Sequence, residues 1–207
     1  MRKLLATTTM TAAAAVALIS LPIGTGTASA APTMAEDYRI AAALVSGYWQ
    51  QQAPKLYGER YVAPTNRGII DPGTETGCGA MPKQNAAYCP KDHSVQFGRD
   101  YMELADSIGD VVVYDVVAHE WAHAVLRQQP DRVVERPQEL QAECLAGGAL
   151  GDLKRSGHLI VEDGDDAEFA ALFRYTHAPG DKHGTAKEQA TAFMAGWKSG
   201  PRACFTR

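Results

Sequence analysis

An apolar segment that carries two histidines and a glutamate at helical spacing constrains this chain most. Its polar residues are His119, Glu120 and His123, in the pattern His-Glu-Trp-Ala-His. On a helix, residues four positions apart lie on one face, so both imidazoles can reach a single metal ion. The glutamate follows the first histidine directly and places a carboxylate beside that ion. The pattern therefore predicts half of a zinc site, because zinc binds imidazole nitrogen and needs further ligands.

The residues around this motif predict that its helix is buried. They are mainly valine and alanine, and we place the helix from about Asp110 or Val113 to Gln129, before Pro130. A histidine pair and a glutamate inside an apolar helix need partners that offset their lost hydration. A bound metal is such a partner, so burial favours a metal site over two incidental histidines.

The segment after the motif helix offers two carboxylates, Glu139 and Glu143, four residues apart. Pro137 stands where the first turn of a helix tolerates proline, so both glutamates should share one face of a second helix. We assign Glu139 as the third metal ligand and Glu143 as a hydrogen-bond partner of a ligand histidine. The alternative is that both glutamates lie on a solvated helix face. Leu140 and its apolar neighbours argue against this alternative, because they predict partial burial.

The first 30 residues have the features of a secretory signal peptide. Arg2 and Lys3 give its positive region, an apolar stretch follows at 12–23, and Ala-Ser-Ala at 28–30 forms the cleavage site. The apolar stretch is shorter than the roughly 18 residues that a membrane span needs. We therefore expect a secreted, extracellular protein without a stable membrane anchor.

The mature chain, residues 31–207, is acidic and of a size that fits one domain. Two of the 20 Lys and Arg precede it, so 18 Lys and Arg stand against 24 Asp and Glu, a net charge of −6. Acidity of this size argues against nucleic acid as a partner. We expect a monomer.

Four cysteines in an exported chain predict disulfides, because the reducing systems of the cytosol are absent outside it. Three pairings of Cys78, Cys89, Cys144 and Cys204 are possible. A zinc site built from cysteine is disfavoured, since no two cysteines are separated by only two residues.

The rest of the chain predicts further helices and a few short strands. Helices are expected at 34–52, ending at Pro54, at 98–107, from an acidic turn at 162–166 to about 177, and after a capping box at Thr185 and Glu188, with Phe193 and Trp197 pointing inward. Strands are expected at 61–62 and 68–70 around a turn at 64–66, and at 95–97, with an irregular bridged loop at 71–92. The acidic turn lacks the spacing of an EF-hand loop, so we interpret it as solvated rather than as a calcium site. The fold class is mainly α, or α+β with a small sheet, built about the motif helix.

In these motifs the chain resembles the neutral zinc metallopeptidases of bacteria. Four pieces match in order over roughly residues 78–204: Cys-Gly with Tyr-Cys-Pro-Lys-Asp, Ala-His-Glu-x-x-His, Glu-Leu-Gln-Ala-x-Cys-x-Ala-Gly, and a closing His-Gly-Thr before an aromatic helix and the last cysteine. The resemblance implies a zincin-like single domain in which His119, His123 and Glu139 bind zinc as in gluzincin peptidases. It also implies that Glu120 is the general base.

The same resemblance implies disulfides between Cys78 and Cys89 and between Cys144 and Cys204. The first bridge would close a loop that contains glycine and proline. Loop entropy assigns about 2.8 kcal/mol to that short loop and about 4.3 kcal/mol to the longer one, before native strain is subtracted. The second bridge would tie the tail to the helix that carries Glu139.

Three residues depart from the family pattern. Glu143 stands where the family usually has aspartate, Ala122 where glycine is common, and Lys182 where threonine precedes the closing His183. None of these changes removes a ligand. The longer side chain of Glu143 must, however, reach the same partner with one additional methylene.

The resemblance implies hydrolysis of a peptide or protein substrate by a zinc-activated water that Glu120 deprotonates. Negative charge then builds on the carbonyl oxygen, and His183 is our candidate donor, with Tyr114 and Tyr175 as alternatives. The rival interpretation is a non-catalytic, zinc-containing extracellular binding protein of the same fold. The glutamate favours catalysis, since a purely structural site does not need it.

Overall fold

The computed structural model describes residues 32–58, 61–129, 138–175 and 183–205. Expectations that concern the signal peptide, Pro130, Pro137, Lys182 or the side chain of Tyr175 lie outside the described residues. The described elements pack around one hydrophobic core.

Helices dominate the fold. The described residues form α1 (Met34–Tyr57), α2 (Arg99–Ile108), α3 (Asp110–Arg127), α4 (Glu139–Arg155), α5 (Asp165–Tyr175) and α6 (Ala186–Ser199), followed by a 3-10 helix at Pro201–Phe205. Between α1 and α2 lie the short strands β1 (Thr65–Ile70), β2 (Glu75–Thr76), β3 (Gly79–Ala80), β4 (Ala86–Cys89) and β5 (Ser94–Gly98). A mainly helical chain with a few short strands agrees with the expected fold class.

The ends of α1 and α6 follow from local capping. Thr33 and Glu36 form a capping box at the start of α1, and Thr185 and Glu188 form the predicted one at the start of α6. The predicted end of α1 at Pro54 is wrong, because the helix continues to Tyr57. Pro54 is exposed and lies near the end of the helix, where the absence of its N–H is tolerated. The helix ends at its C-cap residue, Gly58, which has a left-handed conformation.

The sheet differs from its predicted outline. Strand β5 is fully buried and pairs in parallel with β1 and antiparallel with β4, while β2 and β3 form a separate antiparallel pair. The expected strand at 61–62 is absent from the described chain, and Thr65 and Asn66, expected in a turn, pair with β5. Three strands also lie in the loop at 71–92. Pairing with β5, rather than local propensity, makes β1 and β4 strands, while β2 and β3 pair with each other.

Helix α3 lies at the centre of the core, as its composition predicts. Every residue from Val111 to Ala122 is buried, the charged ones included. Trp121 stacks on Phe97 of β5 with 6.2 Å between ring centroids, and Leu126 is fully buried one turn later. The helix therefore supplies core packing and polar motif residues from the same turns.

Both disulfides have the pairing that the resemblance implies. Cys78 bridges to Cys89 at the end of β4, and Cys144 bridges to Cys204 in the 3-10 helix. The second bridge joins the chain terminus to α4 directly after Glu143. It restricts the helix that carries both candidate carboxylates.

Helices α4 and α6 approach each other closely through glycine. A Cβ on Gly196 would overlap the backbone oxygen of Cys144, and one on Gly147 would overlap that of Phe193. Backbone atoms cannot move aside as a flexible side chain can, so this contact needs residues without Cβ. The close contact supports α4, which also packs against α3.

Substitution of Gly196 by alanine should therefore destabilise the protein. We expect Gly196→Ala to lower the free energy of unfolding by about 1–3 kcal/mol through overpacking, although alanine favours a helix. Gly47→Ala in α1 is the matched control, because a Cβ there meets no atom within 4 Å. We expect the control to raise stability by about 0.5–1 kcal/mol. Chemical denaturation measures both, and equal effects would contradict the close contact.

Candidate metal centre

Two helices bring the four motif side chains together. His119 and His123 lie one turn apart on α3, and Glu139 and Glu143 lie one turn apart at the start of α4. Helical spacing places each pair on one face, and the packing of α4 against α3 turns these two faces toward each other. The structure thus assembles all four residues that the sequence assigned to a metal or its support.

Three atoms form a triangle of nearly equal sides. Nε2 of His119 lies 3.1 Å from Nε2 of His123 and 3.3 Å from Oε2 of Glu139, and Nε2 of His123 lies 3.1 Å from the same oxygen. Ligands about 2.0–2.1 Å from a tetrahedral zinc ion are separated by about 3.3 Å. The triangle therefore has the size that one small divalent ion requires.

Glu143 holds one histidine in the orientation that metal binding needs. Its Oε2 lies 2.9 Å from Nδ1 of His119, and the carboxylate is buried, so Nδ1–H donates to it. This contact leaves the lone pair of Nε2 directed at the triangle. The additional methylene of Glu143, compared with the aspartate of the family pattern, does not prevent the contact.

The electrostatics of the triangle favour positive charge. Burial lowers the pKa of His119, but the hydrogen bonds with Glu139 and Glu143 outweigh it and raise this pKa well above its ordinary value. Burial raises the pKa of Glu139, yet the contacts with His119 and His123 outweigh it and hold this pKa below its usual range. Without a metal, a proton on an imidazole supplies this positive charge, and a divalent cation would supply more of it.

The other predicted catalytic residues fall into two groups. Glu120 is buried and lines a cavity together with His119 and His183. Nε2 of His183, in the turn before α6, lies 3.3 Å from Oε2 of Glu139. Tyr114 does not line this cavity, and Asp37 and Asp110 are the charges that act on it, so this alternative donor lies away from the triangle.

The cavity beside the triangle has a volume of about 440 Å³. Its walls come from α2, α3 and α5 and from residues 84–86 at the start of β4, with Glu143 of α4, His183, and Gln189 of α6 completing them. His119 and Glu120 of α3 are among its polar residues. Asp115 also lines it, and the sequence analysis missed this residue. Asp115 precedes His119 by one helical turn, so the spacing that found the histidine pair could have identified it too.

A second acidic group lies at the starts of α3 and α5. Asp110, Asp165 and Glu168 bring carboxylate oxygens within 4.8 Å of one another. The turn at 162–166 is exposed as expected except for Asp165, which is buried and whose Oδ2 accepts a hydrogen bond from the backbone N–H of Glu162. These acidic residues lie in the first turns of α3 and α5, where backbone N–H groups favour negative charge.

Comparison of the chain with protein-family models, with curated proteins and with solved structures gives no match. The family resemblance therefore depends on the motifs alone and stays a prediction.

Loss of the Glu143 carboxylate should weaken metal binding. We expect Glu143→Ala to reduce the affinity for Zn²⁺ by about 10–100-fold, because His119 then loses the partner that orients it. Glu103→Ala, at an exposed position of α2, is the control for charge and should bind like the unmodified protein. Calorimetric titration measures both affinities. Equal affinities would exclude a role for the Glu143 contact.

Metal affinity should also depend on pH through His119. Its raised pKa means that its imidazole keeps a proton to a higher pH, and an incoming ion must displace that proton. Affinity should therefore rise with pH and level off above the pKa of His119. Titrations in buffers of different ionisation enthalpy count the protons released. Absence of proton release near pH 6.5, about the ordinary pKa of histidine, would refute this assignment.

Proposed function

We propose that this protein is a secreted zinc metallopeptidase with a zincin-like fold. The observation that carries the proposal is the triangle of His119, His123 and Glu139, with Glu120 on the wall of the adjoining cavity. A substrate in that cavity would lie beside both the metal and the base.

The number and type of donor atoms support a catalytic rather than a structural zinc site. Structural sites usually have four protein ligands, whereas catalytic sites have three and an open position. Among the described residues, the group of mutually close ligand atoms at this site has three members, two imidazole nitrogens and one carboxylate oxygen. His183 is not part of that group. This count favours hydrolysis over the rival, a non-catalytic zinc-containing binding protein.

The chain supplies the acid–base chemistry of the proposed reaction. A zinc ion in such a site lowers the pKa of water and polarises a peptide carbonyl. Glu120 accepts the proton of the water that attacks the carbonyl carbon, and it later delivers a proton to the amine nitrogen as the C–N bond breaks. His183 donates a hydrogen bond to the carbonyl oxygen, on which negative charge develops.

Secretion is part of the proposal. The two disulfides support it, because such bonds persist in oxidising compartments outside the cytosol. Within the described part of the chain, no helix combines the length and the apolar character of a membrane span.

Substitution of Glu120 tests the catalytic role. We expect Glu120→Gln to bind one zinc ion with unchanged affinity and to lower kcat by at least about 100-fold, because an amide cannot accept the proton. The assay measures cleavage of a casein digest and of mixed quenched peptides, with zinc content determined in parallel. Glu103→Gln on the exposed face of α2 is the control and should retain full activity.

Two outcomes would contradict the peptidase proposal. Undiminished turnover by Glu120→Gln would remove this residue from its role. Full occupancy by zinc without cleavage of any peptide would favour the non-catalytic binding protein.

A further inference from the structure

Asp115 is a buried acid in the cavity wall. Its exposed fraction is 2 %, and it lies on α3 one turn before His119. No described residue provides a hydrogen bond to its Oδ1, and the same is true of Oε1 of the neighbouring Glu143. Most buried carboxylate oxygens are hydrogen-bonded, so these two atoms point to a donor that the described residues do not supply.

Apolar side chains of α2 and α5 form one part of the wall around this acid, and Gln84, Asn85 and Tyr101 form another. Leu172 and Phe173 of α5 are almost fully buried, and Leu104 and Ile108 of α2 line the cavity beside them. A group that lies along α2 and α5 is therefore best matched by an apolar stem. Its end must be a donor if it is to satisfy the carboxylates.

The charges around the cavity identify the kind of donor. Asp115, Glu120 and Glu143 line it, whereas none of the described lining residues is Lys or Arg. Burial and the neighbouring Glu143 raise the pKa of Asp115 above its ordinary value, and His119 opposes this only in part. A cation would offset the repulsion between these acids.

We propose that the cavity binds a lysine or arginine side chain that flanks the scissile bond, with its apolar stem along α2 and α5 and its cationic end at Asp115 and Glu143. This inference rests on the proposed peptidase function and names its substrate class. The long side chains of lysine and arginine combine an aliphatic stem with a charged donor, which is the combination that the cavity requires. An aliphatic side chain would fill the same space but leave both carboxylates without a donor.

A matched pair of peptides tests the proposal without any change to the protein. Quenched peptides of one sequence carry lysine, arginine, norleucine or glutamate on either side of the cleaved bond. Norleucine has the stem of lysine without its ammonium group, so the comparison isolates the cation. We expect kcat/KM for lysine to exceed that for norleucine by at least about tenfold at one of the two positions. Equal values or a preference for norleucine at both positions would overturn the proposal.

The Asp115→Asn variant tests whether Asp115 binds the cationic end of the side chain. This nearly isosteric change should reduce the ratio of lysine to norleucine toward one, while zinc content and the melting temperature verify that the site is intact. Asp106→Asn removes the same charge from an exposed position of α2 and should leave the ratio unchanged. An unchanged ratio in Asp115→Asn would overturn the assignment.

Binding separates this inference from the peptidase proposal. Zinc-loaded Glu120→Gln should bind the lysine peptide more tightly than the norleucine peptide, and combination with Asp115→Asn should abolish the difference. This result without any hydrolysis by the unmodified protein would refute the peptidase function and support the cation site. Hydrolysis by the unmodified protein without a lysine preference would support the peptidase function and refute the cation site.

Discussion

The structure depends on the contact between α3 and α4, which places acidic side chains against buried imidazoles. Helix α3 is buried from Val111 to Ala122, so the polar side chains on these turns need partners other than bulk water. His119 and His123 find such partners in Glu143 and Glu139 across the helix interface. A buried cluster of this kind is stable only when its positive and negative groups balance, and the triangle of ligand atoms leaves room for a cation to achieve that balance.

Other contacts of α4 help to maintain its position against α3. The glycine contact with α6 lets two backbones meet closely, and the bridge from Cys144 to Cys204 attaches the end of the described chain to the same helix. Both act within one or two turns of Glu143. The candidate carboxylates are therefore held by a helix that is supported on two faces, whereas His183 extends from a turn and is partly exposed.

Local spacing predicted the parts of the site that lie on one helix each. The motif histidines, the paired glutamates and the Thr185 capping box follow from intervals of three or four residues, and the structure forms all three. The strands did not follow from their own sequences, because Thr65 and Asn66 become a strand only by pairing with β5. The cavity was also missed, since its walls come from helices that are distant in sequence. Tyr114 was a poor candidate because its helical position turns it toward α1 rather than toward the cavity.

The burial of α3 limits where the molecule can change over evolution. Its residues contribute to the core and to the ligand cluster at once, so a substitution that alters one also disturbs the other. The cavity walls from α2 and α5 carry no metal ligand, because Leu104, Ile108 and Leu172 belong to other helices, although Leu172 also belongs to the core. Descendants of this protein can thus diversify what the cavity accepts by exchanging wall side chains, while the metal-binding helices stay constant.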